Sequence, residues 1–239
     1  MYPFPILSPL GASLSRCLIP ALFLLAAGLP ANAQESESNR VNLRFLSFPK
    51  SMQPVELELR LSQTETEPFQ AYSHECSQRI QVVSPGVWSV GETVEGPDGE
   101  ETFVEYGRTP AANSRQQLLL LIRKGADNTD GFDLIALDES DGVFGGGHFL
   151  FMNACKVDIA GKVGDEKFVL RPGRHNIIEP ETDEGKQSAH AMFYFRKGEE
   201  ARPFFSSRWP VNERARSMVF FYHDPKSRRI RMHTVRDFR

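Results

Sequence analysis

The sequence predicts an all-β protein, and two observations lead to that prediction. Residues 55–61 alternate apolar and charged side chains with a period of two, as in a strand with one buried and one solvated face. Pro-Gly and Asp-Gly turns recur between such runs, whereas long runs with a helical period of 3.6 are absent. Many short strands separated by turns are typical of a β-sandwich or a barrel.

The N-terminal segment has the features of a secretory signal peptide. An apolar run at residues 18–29 follows Arg16 and ends before Ala31-Asn32-Ala33. This pattern predicts a mature chain that begins at Gln34 and is periplasmic or secreted. A membrane anchor is disfavoured because Pro20 interrupts the run, which is shorter than the ~20 apolar residues of a bilayer span. We therefore expect no membrane span after cleavage.

The overall charge gives no reason to expect nucleic acid as a partner. The 239 residues contain 28 Lys and Arg against 31 Asp and Glu, a formal net charge of −3 at pH 7. A mildly acidic chain lacks the positive field that attracts nucleic acid or acidic lipid. With 40% hydrophobic and 25% charged residues, the composition is that of a folded protein and excludes a disordered or collagen-like one.

The order of motifs indicates an internal duplication. Arg108-Thr109-Pro110 precedes an apolar run at residues 118–122, and Arg208-Trp209-Pro210 precedes a second run at 218–222 at the same distance. Five consecutive apolar residues predict a strand that is covered on both faces. A turn and a final strand follow each run, so the order of elements is kept.

This duplication divides the chain. We predict a signal peptide at residues 1–33, a first β-sandwich-like unit at 40–141 and a second at 142–239. The glycine run 145–147 lies at the boundary and is interpreted as a flexible joint. A phosphate-binding loop is the alternative, but it requires a Lys-Ser or Lys-Thr pair and a helix, whereas His148 and a predicted strand follow here.

Residues 41–48 form an opening strand, and the turns Pro85-Gly86 and Pro172-Gly173 each precede a further strand. This layout resembles exported bacterial proteins that are built from tandem small β-sandwich units. Many such proteins have no assigned activity, so the resemblance implies an architecture and no catalytic residues. The insertion at residues 62–78 of the first unit departs from the compact second unit.

The mature chain keeps two cysteines, Cys76 and Cys155, an even number in an oxidising compartment. A disulfide between them is one interpretation. The other, which we favour, is that Cys155 is a buried free thiol, because it shares an alternating face with Phe151 in the strand-like segment 149–159. His74 and Cys76 form a His-x-Cys pair, but a zinc site needs three or four ligands, so we expect no metal.

The reactive residues form no catalytic motif that the sequence reveals. Six histidines occur singly, and none belongs to a His-Glu-x-x-His helix or a Gly-x-Ser-x-Gly elbow. We therefore predict no catalytic residue and no cofactor, and we favour a non-enzymatic role. An active site assembled from residues far apart in sequence is the alternative.

Candidate binding residues lie in the segment 202–210, which places Phe204 and Trp209 beside Arg208. Trp and Arg are the residue types most enriched where proteins bind partners, and envelope polysaccharides are the expected ligands. The alternative is that Phe204 and Trp209 fill the core of the second unit while Arg208 braces a loop, because large aromatic side chains are usually buried.

The ends of the two predicted units differ in charge. Residues 125–141 contain six acidic residues and no Lys or Arg, whereas residues 226–239 contain six basic residues, among them Arg229 and Arg231, and one acid, Asp237. On the functional interpretation, this basic strand binds an acidic partner, either a second copy of the chain or an anionic envelope polymer. The alternative is that both are solvated edge strands, whose charges prevent aggregation.

Together these observations predict an exported structural or interaction module of the cell envelope, without a cofactor. The alternative is a small envelope hydrolase or a ligand-binding sensor that uses the loop at residues 62–78. Long loops without structure of their own are often functional.

Overall fold

The computed structural model describes residues 39–125, 127–182, 187–197, 200–224 and 226–238. In these ranges, sixteen strands form four four-stranded sheets, and the helical parts are a short helix, α1 (Asp141–Phe144), and a single 3-10 turn (Asn128–Asp130). The prediction of an all-β protein is confirmed. The predicted signal peptide lies outside the described residues, and within them no helix is long and apolar enough to cross a membrane.

The first eight strands all lie within residues 40–141. Their bounds are β1 (Arg40–Phe48), β2 (Val55–Arg60), β3 (Thr66–Ala71), β4 (Ile80–Val83), β5 (Val87–Glu95), β6 (Glu101–Pro110), β7 (Gln116–Arg123) and β8 (Phe132–Asp138). Sheet A has the strand order β4-β1-β7-β8, and sheet B has the order β3-β2-β5-β6.

The other eight strands all lie within residues 142–239. Their bounds are β9 (Phe149–Asn153), β10 (Ile159–Val163), β11 (Glu166–Leu170), β12 (His175–Ile178), β13 (Ser188–Lys197), β14 (Glu200–Pro210), β15 (Ala215–His223) and β16 (Ile230–Phe238). Sheet C has the order β12-β9-β15-β16, and sheet D has the order β11-β10-β13-β14. Sheet C therefore has the same strand order as sheet A, and sheet D the same as sheet B, with every strand number higher by eight.

The apolar runs 118–122 and 218–222 lie in the central strands β7 and β15. Each of these strands pairs in parallel with the strand that opens its unit, β1 or β9, and antiparallel with β8 or β16. Leu119 packs in one apolar cluster and its neighbour Leu120 in another. The prediction that these strands are covered on both faces is confirmed.

Three apolar clusters define the order of the layers. The first, which includes Phe45 and Trp88, lies between sheets A and B, and the second, which includes Phe151 and Phe193, lies between sheets C and D. The third joins side chains of sheets A and C, such as Leu120 and Phe220. Since sheets A and C are buried against each other, the layers follow the order B-A-C-D, and sheets B and D each have one outward face.

The sequence suggested that the insertion at residues 62–78 is an unstructured loop, and the structure corrects this. Strand β3 lies inside it and pairs with β2, placing Phe69 opposite Leu57 in the first core. Pro68 is accommodated because β3 is an edge strand, where a missing N–H costs no ladder bond. The extra length lies in both flanking connections, 61–65 before β3 and 72–79 between β3 and β4, which are longer than their counterparts in the second unit.

Cys76 and Cys155 are both free thiols, so the disulfide interpretation is wrong and the favoured one is confirmed. Cys155 is buried in the second core, as expected, but the segment 149–159 is not one strand. β9 ends at Asn153, whose buried amide nitrogen donates to the carbonyl oxygens of Val157 and Leu170 at 2.9 and 2.8 Å. These side-chain hydrogen bonds stabilise the turn between β9 and β10.

The glycine run 145–147 makes a close contact, which differs from the flexible joint that the sequence suggested. A side chain at Gly146 would overlap the carbonyl group of Glu213. Gly147 has a φ of +82°, and its N–H donates to the carbonyl oxygens of Asn212 and Ala215 at 3.0 and 2.9 Å. Glycine is required here because the backbone of residues 212–215 packs directly on the run.

Candidate functional site

The predicted aromatic residues lie against the second core. Trp209 has its ring centroid 5.7 Å from that of Phe149 and 5.3 Å from that of Phe193, and Phe204 lies 6.3 Å from Phe193. Both side chains are half-buried on β14. This is the placement that the core-filling alternative predicts, and the binding role of Phe204 and Trp209 stays a prediction.

The predicted arginines are divided between two sheets. Arg208 is exposed on β14 of sheet D, opposite His190 of β13, and alternation places it on the other face from Trp209. Arg229 precedes β16 of sheet C and Arg231 lies on it; both are exposed, and the Nε atom of Arg231 is 3.8 Å from an Asp224 carboxylate oxygen. Their predicted binding role is likewise untested.

A network of buried charges joins the two units near the ends of β8 and β16. Arg216 of β15 is fully buried, and its guanidinium donates to the Glu139 carboxylate and, at 2.9 Å, to that of Asp237. Its Nη1 atom also donates to the carbonyl oxygens of Glu139 and Phe144, at 3.2 and 2.8 Å. Asp237 accepts two further hydrogen bonds of 2.7 Å from Arg44 of β1. We call Arg44, Glu139, Arg216 and Asp237 the charged junction.

The charged junction connects the units in both directions. Arg44 and Glu139 belong to the first unit, and Arg216 and Asp237 belong to the second, so each carboxylate contacts an arginine of the other unit. Buried charges depend on their partners, because a charge left unpaired in the interior is strongly destabilising. The pairs Arg44–Asp237 and Arg216–Glu139 therefore form only when sheets A and C meet in this arrangement.

Sequence reasoning missed the charged junction, although two signals were present. Asp237 is the one acid among the basic residues 226–239, and Arg216 lies two residues before the apolar run 218–222. Glu139 of the acidic segment 125–141 and Asp237 of the basic segment 226–239 are both buried, and their partners, Arg44 and Arg216, lie in neither segment.

Asp237 makes the stability of the fold depend on pH. Burial alone would raise its pKa, but hydrogen bonds from Arg44 and the positive charges of Arg44 and Arg216 lower the pKa below its ordinary value. Such a carboxyl stabilises the fold above its unfolded pKa of ~3.9, and that contribution is lost as the pH falls through the folded value. We expect the free energy of unfolding to fall below about pH 4 and Asp237→Asn to flatten the fall.

Urea unfolding at a series of pH values measures this dependence. Asp133→Asn is the matched control because Asp133 is an exposed carboxylate on β8 that forms a surface ion pair of 3.2 Å with Lys124. We expect this control to keep the acid dependence of the original protein. An Asp237→Asn variant that loses stability toward low pH as steeply as the original protein would contradict the assignment.

A concave surface beside the charged junction has a volume of about 1050 Å³. Its lining includes Arg44, Arg79, His148 and Glu179. The Nδ1 atom of His148 accepts a 2.8 Å hydrogen bond from the Gly145 N–H, and its Nε2 atom is 3.5 Å from a Glu179 carboxylate oxygen. Positive and negative side chains are mixed there, so this groove does not select ligands of one charge.

A second cavity, of about 690 Å³, lies at the β3 edge and is lined in part by residues 68–78, among them Phe69, Tyr72 and Cys76. Burial raises the pKa of the Cys76 thiol to about 12, although the positive charge of Arg44 opposes the shift. The thiol is therefore protonated at neutral pH, and a protonated thiol is a poor nucleophile. The cavity has room for a ligand, but the Cys76 thiol is not activated as a nucleophile.

The outward face of sheet D combines positive charge with apolar surface. Lys162 of β10 lies directly opposite Lys167 of β11 and also opposite Met192 of β13. Val169 is 66% exposed and lines, with Tyr194, a depression of about 510 Å³ on this face. We call this surface the basic face.

No protein-family model matches the chain, and no curated protein matches it. The resemblance to exported proteins of tandem β-sandwich units therefore stays a prediction. Across the described ranges, no group of three or more His, Cys, Asp or Glu side chains is placed to hold a metal ion.

Proposed function

We propose that this chain is an exported structural or interaction module of the cell envelope, periplasmic or secreted, that presents two binding faces at once. The observation that carries the proposal is the layer order B-A-C-D. Sheets A and C are buried against each other, so the broad outward surfaces belong to sheets B and D and point away from each other. This form suits a protein that bridges two neighbours.

We also infer that the two units are repeats of one β-sandwich-like unit. The equal strand order of sheets A and C, and of sheets B and D, supports this inference. Pro110 ends β6 and Pro210 ends β14, so both prolines stand before a central strand. Proline is tolerated at such a position because no ladder hydrogen bond is lost.

The alternative functions differ in their support. A ligand-binding sensor has one observation in its favour, the cavity of about 690 Å³ that part of the segment 62–78 lines. A thiol hydrolase has less, because burial raises the pKa of both Cys76 and Cys155 to about 12. Turnover of ester or glycoside substrates by the purified protein would favour the hydrolase over our proposal.

Export and retention in the envelope test the proposal directly. We expect a C-terminally tagged full-length chain, expressed in a Gram-negative bacterium, to be recovered outside the cytoplasm with Gln34 as its first residue. A matched chain that lacks residues 2–33 should stay in the cytoplasm. We further expect the exported protein to sediment with isolated envelopes. Recovery in the cytoplasm with Met1 intact, or no retention by envelopes, would contradict the proposal.

A further inference from the structure

We propose that the basic face of one copy binds the β5–β6 hairpin of a second copy, so that copies of the chain associate head to tail. This inference rests on the proposed function and names the partner of one of the two faces.

The basic face carries charges that its own neighbours leave partly uncompensated. Lys162 and Lys167 are directly opposite each other on neighbouring strands, an arrangement that is destabilising for like charges. Asp165 pairs with Lys162 at 3.2 Å, but this carboxylate is itself highly exposed in the turn. An acidic partner would relieve the repulsion between the two lysines.

The apolar part of the basic face calls for a partner with apolar groups as well. Ala160 is directly opposite Val169 on one side and Tyr194 on the other, and the depression of about 510 Å³ lies over these residues and Met192. The Tyr194 hydroxyl donates to the Met192 sulfur at 3.5 Å. An acidic segment that carries an apolar side chain beside its charges fits this surface better than a purely polar polymer.

The β5–β6 hairpin has this combination. Sheet B supports β5 through pairing with β2 at residues 89–91, and beyond Gly91 strands β5 and β6 continue as a two-stranded ribbon. Residues 92–101 contain five acids, and no Lys or Arg occurs between residues 80 and 107. Glu95, Glu101 and the half-buried Phe103 share one side of the ribbon, and Val94 and Val104, which are 41% and 39% exposed, share the other. We call residues 92–104 the acidic ribbon.

The acidic ribbon mirrors the charge arrangement of the basic face. Glu95 lies directly opposite Glu101 in the ribbon, as Lys162 lies opposite Lys167 on the basic face. Each like-charged pair is unfavourable alone. Contact through the side of the ribbon that carries Glu95 and Glu101 would replace both repulsions with attraction.

The partner must be another copy of the chain. Sheet B is separated from sheet D by sheets A and C, a distance of ~30 Å at ~10 Å per layer. The four residues from Glu92 to Glu95 extend the ribbon by only ~13 Å at ~3.3 Å per residue. Since the ribbon and the basic face are different surfaces, their contact is heterologous, and repetition of it produces rows of molecules.

A charge-exchange experiment tests this contact. We expect sedimentation velocity of the protein purified after export to show association at ~0.1 M salt and monomers at ~1 M salt, because the Debye length shrinks from ~10 to ~3 Å. The variant Lys162→Glu/Lys167→Glu and the variant Glu95→Lys/Glu101→Lys should each associate about tenfold more weakly or not at all. Mixing the two variants should restore association, since each then offers a face of opposite charge to the other.

Arg229→Glu/Arg231→Glu is the matched control, with the same change of charge on β16. We expect this control to associate as the original protein does. Monomers under every condition would overturn the proposal, as would association that the β16 variant abolishes or that mixing does not restore. A monomer that still sediments with isolated envelopes would overturn only the contact between copies and would leave the proposed function standing. A monomer that binds an anionic polysaccharide through Lys162 and Lys167 would also overturn only the contact between copies.

Discussion

Replacing Arg216 with Met is expected to destabilise the fold by about 3–5 kcal/mol, the range for breaking a buried ion pair by removing one partner. Arg216 is fully buried and contacts both Glu139 and Asp237. Asp237 would keep its hydrogen bonds from Arg44. Glu139 would lose its hydrogen-bonded arginine and keep only longer ion pairs, of 3.6 Å with Arg44 and 3.5 Å with Arg79. Urea unfolding of the purified variant measures the loss.

Arg231→Met is the matched control for this experiment. Arg231 lies on β16, the strand next to Arg216, but its side chain is 54% exposed and its pair with Asp224 is at the surface. We expect a loss of about 1 kcal/mol or less, as for exposed ion pairs. Adding Glu139→Gln to Arg216→Met should recover part of the stability, because it removes the buried charge that has lost its hydrogen-bonded arginine. Equal losses for Arg216→Met and Arg231→Met would show that the charged junction does not hold the units together.

Replacing Phe151 with Ala is expected to cost about 3–5 kcal/mol, as is typical of a large aromatic removed from a core. Phe151 of β9 is fully buried, and its ring centroid lies 4.7 Å from that of Phe168, 5.6 Å from Phe193 and 6.0 Å from Phe221. The rings come from four different strands of sheets C and D. The cavity left by the substitution would therefore open at the centre of the second core, where neighbouring strands cannot close it without moving.

Phe238→Ala is the control for the size of the side chain. Phe238 ends β16 with 68% of its surface exposed. We expect its loss to change the free energy of unfolding by about 0.5 kcal/mol or less, because exposed side chains contribute little. Circular dichroism during urea unfolding measures both variants. A Phe151→Ala protein as stable as Phe238→Ala would contradict the assignment of Phe151 to the core.

Local pattern determined the strand content of this protein. Alternation over residues 55–61 predicted β2, because side chains on a strand point to opposite faces with a period of two. Continuous apolar runs predicted that β7 and β15 are covered on both sides. The prediction is confirmed because the neighbouring side chains Leu119 and Leu120 pack in different apolar clusters. Strand β3 was missed because Pro68 and its polar neighbours are typical of a loop, and pairing with β2 at a sheet edge overrides that preference.

The sequence by itself determined that this chain forms many short strands, that two of them are central, and that its charge is unevenly distributed. The tertiary structure alone decided which charges are buried: Arg44 and Asp237 are 193 residues apart and meet only because sheets A and C pack face to face. It also decided that Lys162 faces Lys167, since cross-strand register depends on pairing. Local pattern is encoded in neighbouring residues, whereas contacts between distant residues depend on how the complete sheets pack.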